Sequence, residues 1–247
     1  MEKEAFYKIT DKRFENDVCC KNSNRVMMRY LYGSGWIADP SSSDKKVYPD
    51  AAHCCEYEDI SAEEAAAVIE KEELHLQDLL RTAEELAGKA HEGQKDKGGN
   101  PCIGHIKRVA ANVKGTREKT VACLHDVVED TAFTMEDLKK IFPEQILYHV
   151  DMLTHKDGDS YSEYLERIFG DPVARRVKMS DLRDNADLTR IPVPDLIDLT
   201  RADKYICAQA YLLSGNKEFL EKIDRIEKRI SAQKKKKMTE KGQLHQC

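Results

Sequence analysis

With 247 residues, 34% of them charged, and a formal net charge of −5, the chain can bury a good-sized core without disulfides and carries no broad positive field for DNA or RNA. Its apolar stretches are short and broken by charge, so no membrane span is expected. The opening MEKEAFYKITDKRFE has no apolar core of the secretory kind, and a soluble cytoplasmic protein is the expectation.

Residues 1–60 differ from the rest. Short runs such as AFYKI, RVMMRYLY and KKVYPD alternate with the turn-forming stretches GSG and DPSSSD, the pattern of a small β-rich module of unassigned role. Trp36 beside Gly33 and Gly35 reads as core of that unit rather than a binding platform. The eight cysteines include the adjacent pairs Cys19, Cys20 and Cys54, Cys55 in no regular framework, and read as reduced thiols. A zinc site among Cys19, Cys20, His53, Cys54 and Cys55 is the weaker reading, since no C-x-x-C spacing supports it.

Ser61 and Glu64 form the pattern of a capping box, so helix is expected from there. Leu76, Leu79, Leu80, Ala83, Leu86, Ala87 and Ala90 place one apolar stripe on a long helix; Ile106, Val109, Ala110 and Val113 do the same on the next. Amphipathic segments follow at about 121–128, 135–142, 161–168, 173–185, 196–212 and 220–230. Residues 61–230 thus read as an all-α bundle. From 231 to 247, with Lys234 to Lys237 inside, apolar residues nearly vanish, and a charged, disordered tail is expected.

Chemistry concentrates in four places. His125, Asp126, Glu129 and Asp130 lie in a helical pattern where positions four apart share a face, and burying them calls for a cation or another strong partner. Taken alone, a His-Asp pair would read as an exposed helix start. His105 before the second stripe, and Asp181 with Asn185 one helical turn on, change that reading. A nitrogen and oxygen set without thiolate suits manganese, iron or zinc in an open site, with manganese the first choice.

Ala90, His91, Glu92, Gly93 and Gln94, then Lys97 to Pro101 and His105, then His125 to Thr131, then Lys178, Asp181 and Asn185, resemble the hydrolase domain of RelA/SpoT-type proteins from about residue 74 to 213. The resemblance implies an all-α HD-domain helical bundle and removal of the 3′-diphosphate of guanosine tetra- or pentaphosphate, releasing pyrophosphate and GDP or GTP. The chain has no room for the family's synthetase and regulatory domains as well, which points to the small stand-alone hydrolases. By the same resemblance His105, His125, Asp126 and Asp181 match the metal ligands, and Glu129 and Asp130 the acid pair that handles the attacking water. Asn185 matches a position near metal and substrate. Lys97 and Lys178 are candidates for phosphate contact, and Arg183 and Asp184 for phosphate or a supporting hydrogen bond.

Two departures bear on the substrate. Where the family has an arginine against the guanine base this chain has Asp96, and its tyrosine after the proline is Cys102. Around Asp181 the family's Asp-Arg-Leu-His-Asn becomes Asp181, Leu182, Arg183, Asp184, Asn185. A hydrolase of another nucleotide or phosphorylated cofactor, and a nucleotide sensor without turnover, stay open. The expected partner is a small-molecule nucleotide, with no membrane or nucleic acid indicated; oligomeric state is unassigned.

Overall fold

The computed structural model describes residues 5–9, 17–21, 27–38 and 57–244. The strands β1 (Ala5–Ile9), β2 (Val18–Lys21), β3 (Met27–Leu31), β4 (Gly35–Ala38) and β5 (Tyr57–Ile60) form one antiparallel sheet in the order β4-β3-β2-β1-β5. The β3-β4 hairpin turns through Gly33 and Gly35, both at positive φ. At Gly33 a Cβ would collide with Thr116 Oγ1, so the residue is glycine both for its backbone and for the close approach to the helices. His53, Cys54, Cys55, KKVYPD and the side chain of Trp36 lie outside the described residues; Cys19 is buried.

Helix α1 (Ala62–Ala90) starts at the capping box that the sequence predicts: the Ser61 hydroxyl accepts from Glu64 N–H and the Glu64 carboxylate accepts from Ser61 N–H. Leu76, Leu79, Ala83, Leu86 and Ala87 are buried on its predicted stripe. There follow α2 (Ile103–Ala111), α3 (Thr116–Leu124), α4 (Val127–Asp130), α5 (Met135–Leu138), α6 (Glu144–Leu153), α7 (Tyr161–Phe169), α8 (Pro172–Ala186), a 3-10 turn (Leu188–Arg190), α9 (Leu196–Ser214) and α10 (Glu218–Leu244). None of the described helices is long and apolar enough to cross a membrane.

At the centre stands α3, in contact with α1, α2, α6 and α8 and buried almost all round. Such a position demands partners for its polar residues. Arg117 donates to Asp17 Oδ1 at 2.6 Å and to Gln145 Oε1 at 2.9 Å, and Gln145 donates to Glu72 at 2.9 Å. Glu118 pairs with Arg176 of α8. With Thr116 N–H bonded to Tyr32 O at 2.7 Å and Tyr30 Oη to Glu73 at 2.9 Å, these contacts seat the sheet on the bundle.

Three expectations need correction. The segment 121–128 is not one helix: α3 ends at Leu124, and His125 and Asp126 form a junction before α4. Residues 144–153, read as connection, are helix α6, which buries Ile146, Leu147, Val150 and Leu153. The charged stretch after 230 is not a disordered tail over 231–244, because α10 continues to Leu244. Lysine, alanine and glutamine are good helix formers, and Gln233 and Lys237 bond back to Thr200 (3.1 Å) and Asp195 (2.6 Å) of the neighbouring helix end.

Candidate metal centre

Three helices that pack on one another deliver the cluster. His105 sits in the first turn of α2, His125 closes α3, and Asp181 lies in the middle of α8. One ligand atom from each of these three falls within 4.8 Å of the others. The junction after α3 adds Asp126, whose Oδ2 is 3.2 Å from His125 Nε2 and 3.6 Å from His105 Nε2. Asp181 Oδ1 stands 3.3 Å from His105 Nε2 and 3.9 Å from His125 Nε2. The break in the helix has a consequence here, since it turns Asp126 toward the two imidazoles while the Asp130 N–H still bonds Asp126 O at 2.8 Å.

His125 is the informative residue. Its Nδ1 lies 2.7 Å from Ala122 O, which can only accept, so Nδ1 carries the proton and Nε2 offers a lone pair. That Nε2 is buried with no hydrogen-bond partner, facing two carboxylates. A buried acceptor left without a donor is costly, and a cation held among His105, His125, Asp126 and Asp181 would satisfy it. Without a cation, burial opposes charging either ring, but the carboxylates prevail. Asp181 and Asp184 raise His105 to about 9, and Asp126 and Asp181 raise His125. Asp181 is held well below the usual carboxylate range despite its burial, chiefly by Lys178.

The floor is buried and the rim is open. Glu129 and Asp130, one turn beyond the junction, reach solvent beside the ligands. Partial desolvation raises both carboxyls first, and neighbouring Asp126 raises them further. Glu129 accepts from the His155 N–H, and Gln94 Nε2 donates to Asp130 O at 2.8 Å while its Oε1 meets His91 Nδ1 at 2.8 Å. His91 and Gln94, quoted only as part of a motif, thus brace the rim.

The side chains expected at the substrate are placed unequally. Asn185 donates to Asp181 and faces a cavity of about 150 Å³ lined also by Asp96, Lys97, Arg190, Arg201 and Tyr205. Lys97 is tied to Asp198, with Nζ 2.6 Å from Oδ1, and lies 3.5 Å from Asp195. Lys178, its side chain 14% exposed, lies 2.8 Å from Asp181 Oδ2 and 5.1 Å from the centre of the Tyr164 ring, so its charge is directed at a ligand of the cluster. Arg183 is exposed on α8, two positions from Asp181 and therefore on another face of the helix. Asp184 bonds His105, and its partners Arg108 and Arg190 had no signal in the sequence because all three meet across the fold.

No protein-family model matches the chain. A guanosine-3′,5′-bis(diphosphate) 3′-pyrophosphohydrolase of Aquifex aeolicus is 32% identical over 123 residues, 45% of this chain and 18% of that protein. The bifunctional (p)ppGpp synthase/hydrolase SpoT of Escherichia coli is 38% identical over 82 residues, 32% of this chain and 12% of that protein. A GTP pyrophosphokinase of Streptomyces coelicolor is 34% identical over 89 residues, 34% of this chain and 10% of that protein. The chain therefore spans less than a fifth of the length of these relatives. Among solved structures, that of a metazoan ortholog of SpoT that hydrolyzes ppGpp has a TM-score of 0.47 and 23% sequence identity, covering 61% of this chain and 94% of that one. Across 32% to 45% of its length the chain is thus similar in sequence to these proteins.

Proposed function

We propose that the chain is a divalent-metal phosphohydrolase that removes the 3′-diphosphate of guanosine tetra- or pentaphosphate, with manganese as the first metal to try. The observation that carries the reading is the convergence of His105, His125 and Asp181, with Asp126 beside them, on a buried imidazole nitrogen that has no hydrogen-bond partner. The names of the Aquifex and Escherichia relatives support the substrate.

His105, His125, Asp126 and Asp181 would hold the metal. A divalent ion bound there supplies Lewis acidity toward a phosphoryl oxygen and makes a water proton easier to remove. Glu129 and Asp130 lie at the open side, and their raised proton affinity makes them better bases near neutral pH than ordinary surface carboxylates. One of them takes the proton of the attacking water, whose oxygen bonds the phosphorus on the ribose 3′ oxygen; the 3′ oxygen leaves with a proton, giving pyrophosphate and GDP or GTP. Asn185 orients Asp181 and faces the cavity that receives the nucleoside end. Lys178 holds Asp181 ionised beneath the reacting group.

A second reading, a phosphohydrolase of another nucleotide, is favoured by one specific feature. Asp96 lines the cavity where the family's arginine is expected, and Lys97 beside it is neutralised by Asp198. The decisive experiment measures pyrophosphate release from guanosine tetra- and pentaphosphate and from a nucleotide panel, with Mn2+ and with His125→Ala as blank. Metal-dependent release from the guanosine compounds alone is expected. Turnover of another nucleotide only would replace the substrate, and no turnover of any would overturn the enzymatic reading.

A further inference from the structure

We propose that Asp184 is a positioning residue for the metal centre: clamped by Arg108 and Arg190, it accepts the Nδ1–H of His105 and so fixes the ring with Nε2 turned to Asp126 and Asp181. The proposal rests on the reading of His105 as a metal ligand.

The geometry is specific. His105 Nδ1 lies 2.6 Å from Asp184 Oδ2. Arg108 Nε donates to Asp184 Oδ1 at 2.6 Å and its Nη2 to Oδ2 at 3.1 Å, a two-pronged contact. Arg190 Nη2 stands 3.1 Å from Oδ2 and also donates to the Asp184 backbone carbonyl. A carboxylate held by two guanidinium groups is an acceptor only, so the proton between it and the imidazole belongs to Nδ1. When a cation is held there the ring is neutral, and with Nδ1 protonated it is the Nε2 lone pair that points into the cluster. Asp184 is 7% exposed, so water does not compete for these contacts.

The three side chains come from different elements. Arg108 is one turn beyond His105 on α2, Asp184 lies in the last turn of α8, and Arg190 ends the 3-10 turn that follows. Arg190 also lines the cavity beside Asn185 and approaches Asp96 Oδ2 at 3.5 Å. His125 needs no such support, because Ala122 O performs the same task for its ring. Each imidazole of the cluster therefore has its outer nitrogen bonded to an acceptor, one on the backbone and one on a side chain that mutation can change. Outer partners of this kind orient ligating histidines, and losing one lowers metal affinity by roughly 10–100-fold.

The test titrates Mn2+ and Zn2+ calorimetrically into the full chain without nucleotide, for the native protein and for Asp184→Asn, which keeps the shape and removes the charge. The expected outcome is a Kd raised about 10–100-fold with circular dichroism unchanged. In the Zn2+-loaded native protein, the His105 Nδ1–H proton should appear as a downfield, slowly exchanging NMR resonance coupled to imidazole 15N, and it should move upfield or vanish in Asp184→Asn. A merely structural role would not move that signal. Arg108→Gln keeps the carboxylate and should keep the resonance, which provides a reading if Asp184→Asn does not fold. An unchanged Kd in Asp184→Asn, or no protected His105 Nδ1 proton in the native protein, overturns the proposal; so does a native chain that binds neither ion. Metal binding of the predicted pattern without guanosine tetraphosphate turnover would leave this proposal standing and remove the substrate assignment alone.

Discussion

Replacing Arg117 by methionine takes the guanidinium away from Asp17 while keeping a side chain of similar length in the centre of the bundle. Both members of this pair are nearly inaccessible, with side chains 6% and 3% exposed, and the pair joins the first helical turn of α3 to the residue that directly precedes β2. Removing one partner of a buried ion pair costs ~3–5 kcal/mol. A domain of this kind has ~5–15 kcal/mol in all, so about a fifth or more of the stability is at stake. With a urea slope of ~2–3 kcal/mol/M, the unfolding midpoint should fall by about 1–2 M. Urea titrations followed by circular dichroism and by tryptophan fluorescence measure it, and the two probes report whether sheet and bundle unfold together. Asp17→Asn and the double variant complete a cycle in which a coupling of ~1 kcal/mol or more is expected. A midpoint shift under ~0.3 M, or additive single effects, would refute the idea that this pair anchors the sheet to the helices.

His125→Ala and Asp181→Asn should each abolish the stabilisation that Mn2+ confers on the native protein, ~2.7 kcal/mol at one hundred times the Kd; thermal unfolding with and without the ion shows it, and a retained shift would exclude these ligands. Glu129→Gln should leave metal affinity intact and lower kcat by ~10²–10⁴-fold, so native turnover in steady-state assays would end the role of Glu129 as base. Asp171→Ala removes the cap of α8, whose Oδ1 accepts from Ala174 N–H at 2.6 Å, and the carboxylate paired with buried His149, with an expected loss of at least ~1 kcal/mol. Although burial alone would raise it, His149 and the cap hold the Asp171 carboxyl below its ordinary value, so its contribution is complete above the unfolded pKa of about 3.9 and fades as pH falls through the lower folded value. Denaturation of both proteins from pH 7 to pH 2 should therefore show the gap narrowing only below about pH 4.

The parts of the site that depend on short-range pattern were open to reading, and those made by distant contact were not. Ser61 with Glu64, and the stripe from Leu76 to Ala87, announce α1 because cap and periodicity are local. His105, His125 and Asp181 stand out as residues that a bundle interior would not hold without a reason. The junction at His125 and Asp126 escaped because an i, i+4 pattern continues across it even though the helix does not. Helix α6 escaped because Phe142 and Pro143 read as an ending, whereas the proline is the first flank of a new helix whose Ile146, Leu147, Val150 and Leu153 are all core. A run of lysines suggested disorder, yet packing of Ile223 and Ile230 carries α10 past it. The sequence offers Asp184 for phosphate or a supporting hydrogen bond without a partner; His105, Arg108 and Arg190 reach it only where α2, α8 and the 3-10 turn meet.

Substrate preference turns on charge in the cavity, and that can be worked through one residue. The loop after Gln94 replaces an expected arginine by Asp96, and Lys97 beside it is held by Asp198, whose side chain is 3% exposed at the start of α9. The hydrogen bond to Asp198 raises the Lys97 ammonium further toward the charged state. Asp198→Asn preserves an acceptor for the Asp195 N–H, which now bonds Oδ2 at 2.8 Å, and leaves the Lys97 charge beside the cavity with only the more distant Asp195 carboxylate, 3.5 Å away, to offset it. Because Lys97 is half exposed, only a screened interaction of ~1 kcal/mol with a polyphosphate is warranted, equivalent to about a fivefold lower KM. The gain should be present at low ionic strength and shrink as salt is raised. If KM instead rises, or stays the same at every salt concentration, Lys97 does not face the nucleotide, and the cations that meet its phosphates must be sought among the other lining residues, at Arg190 and Arg201.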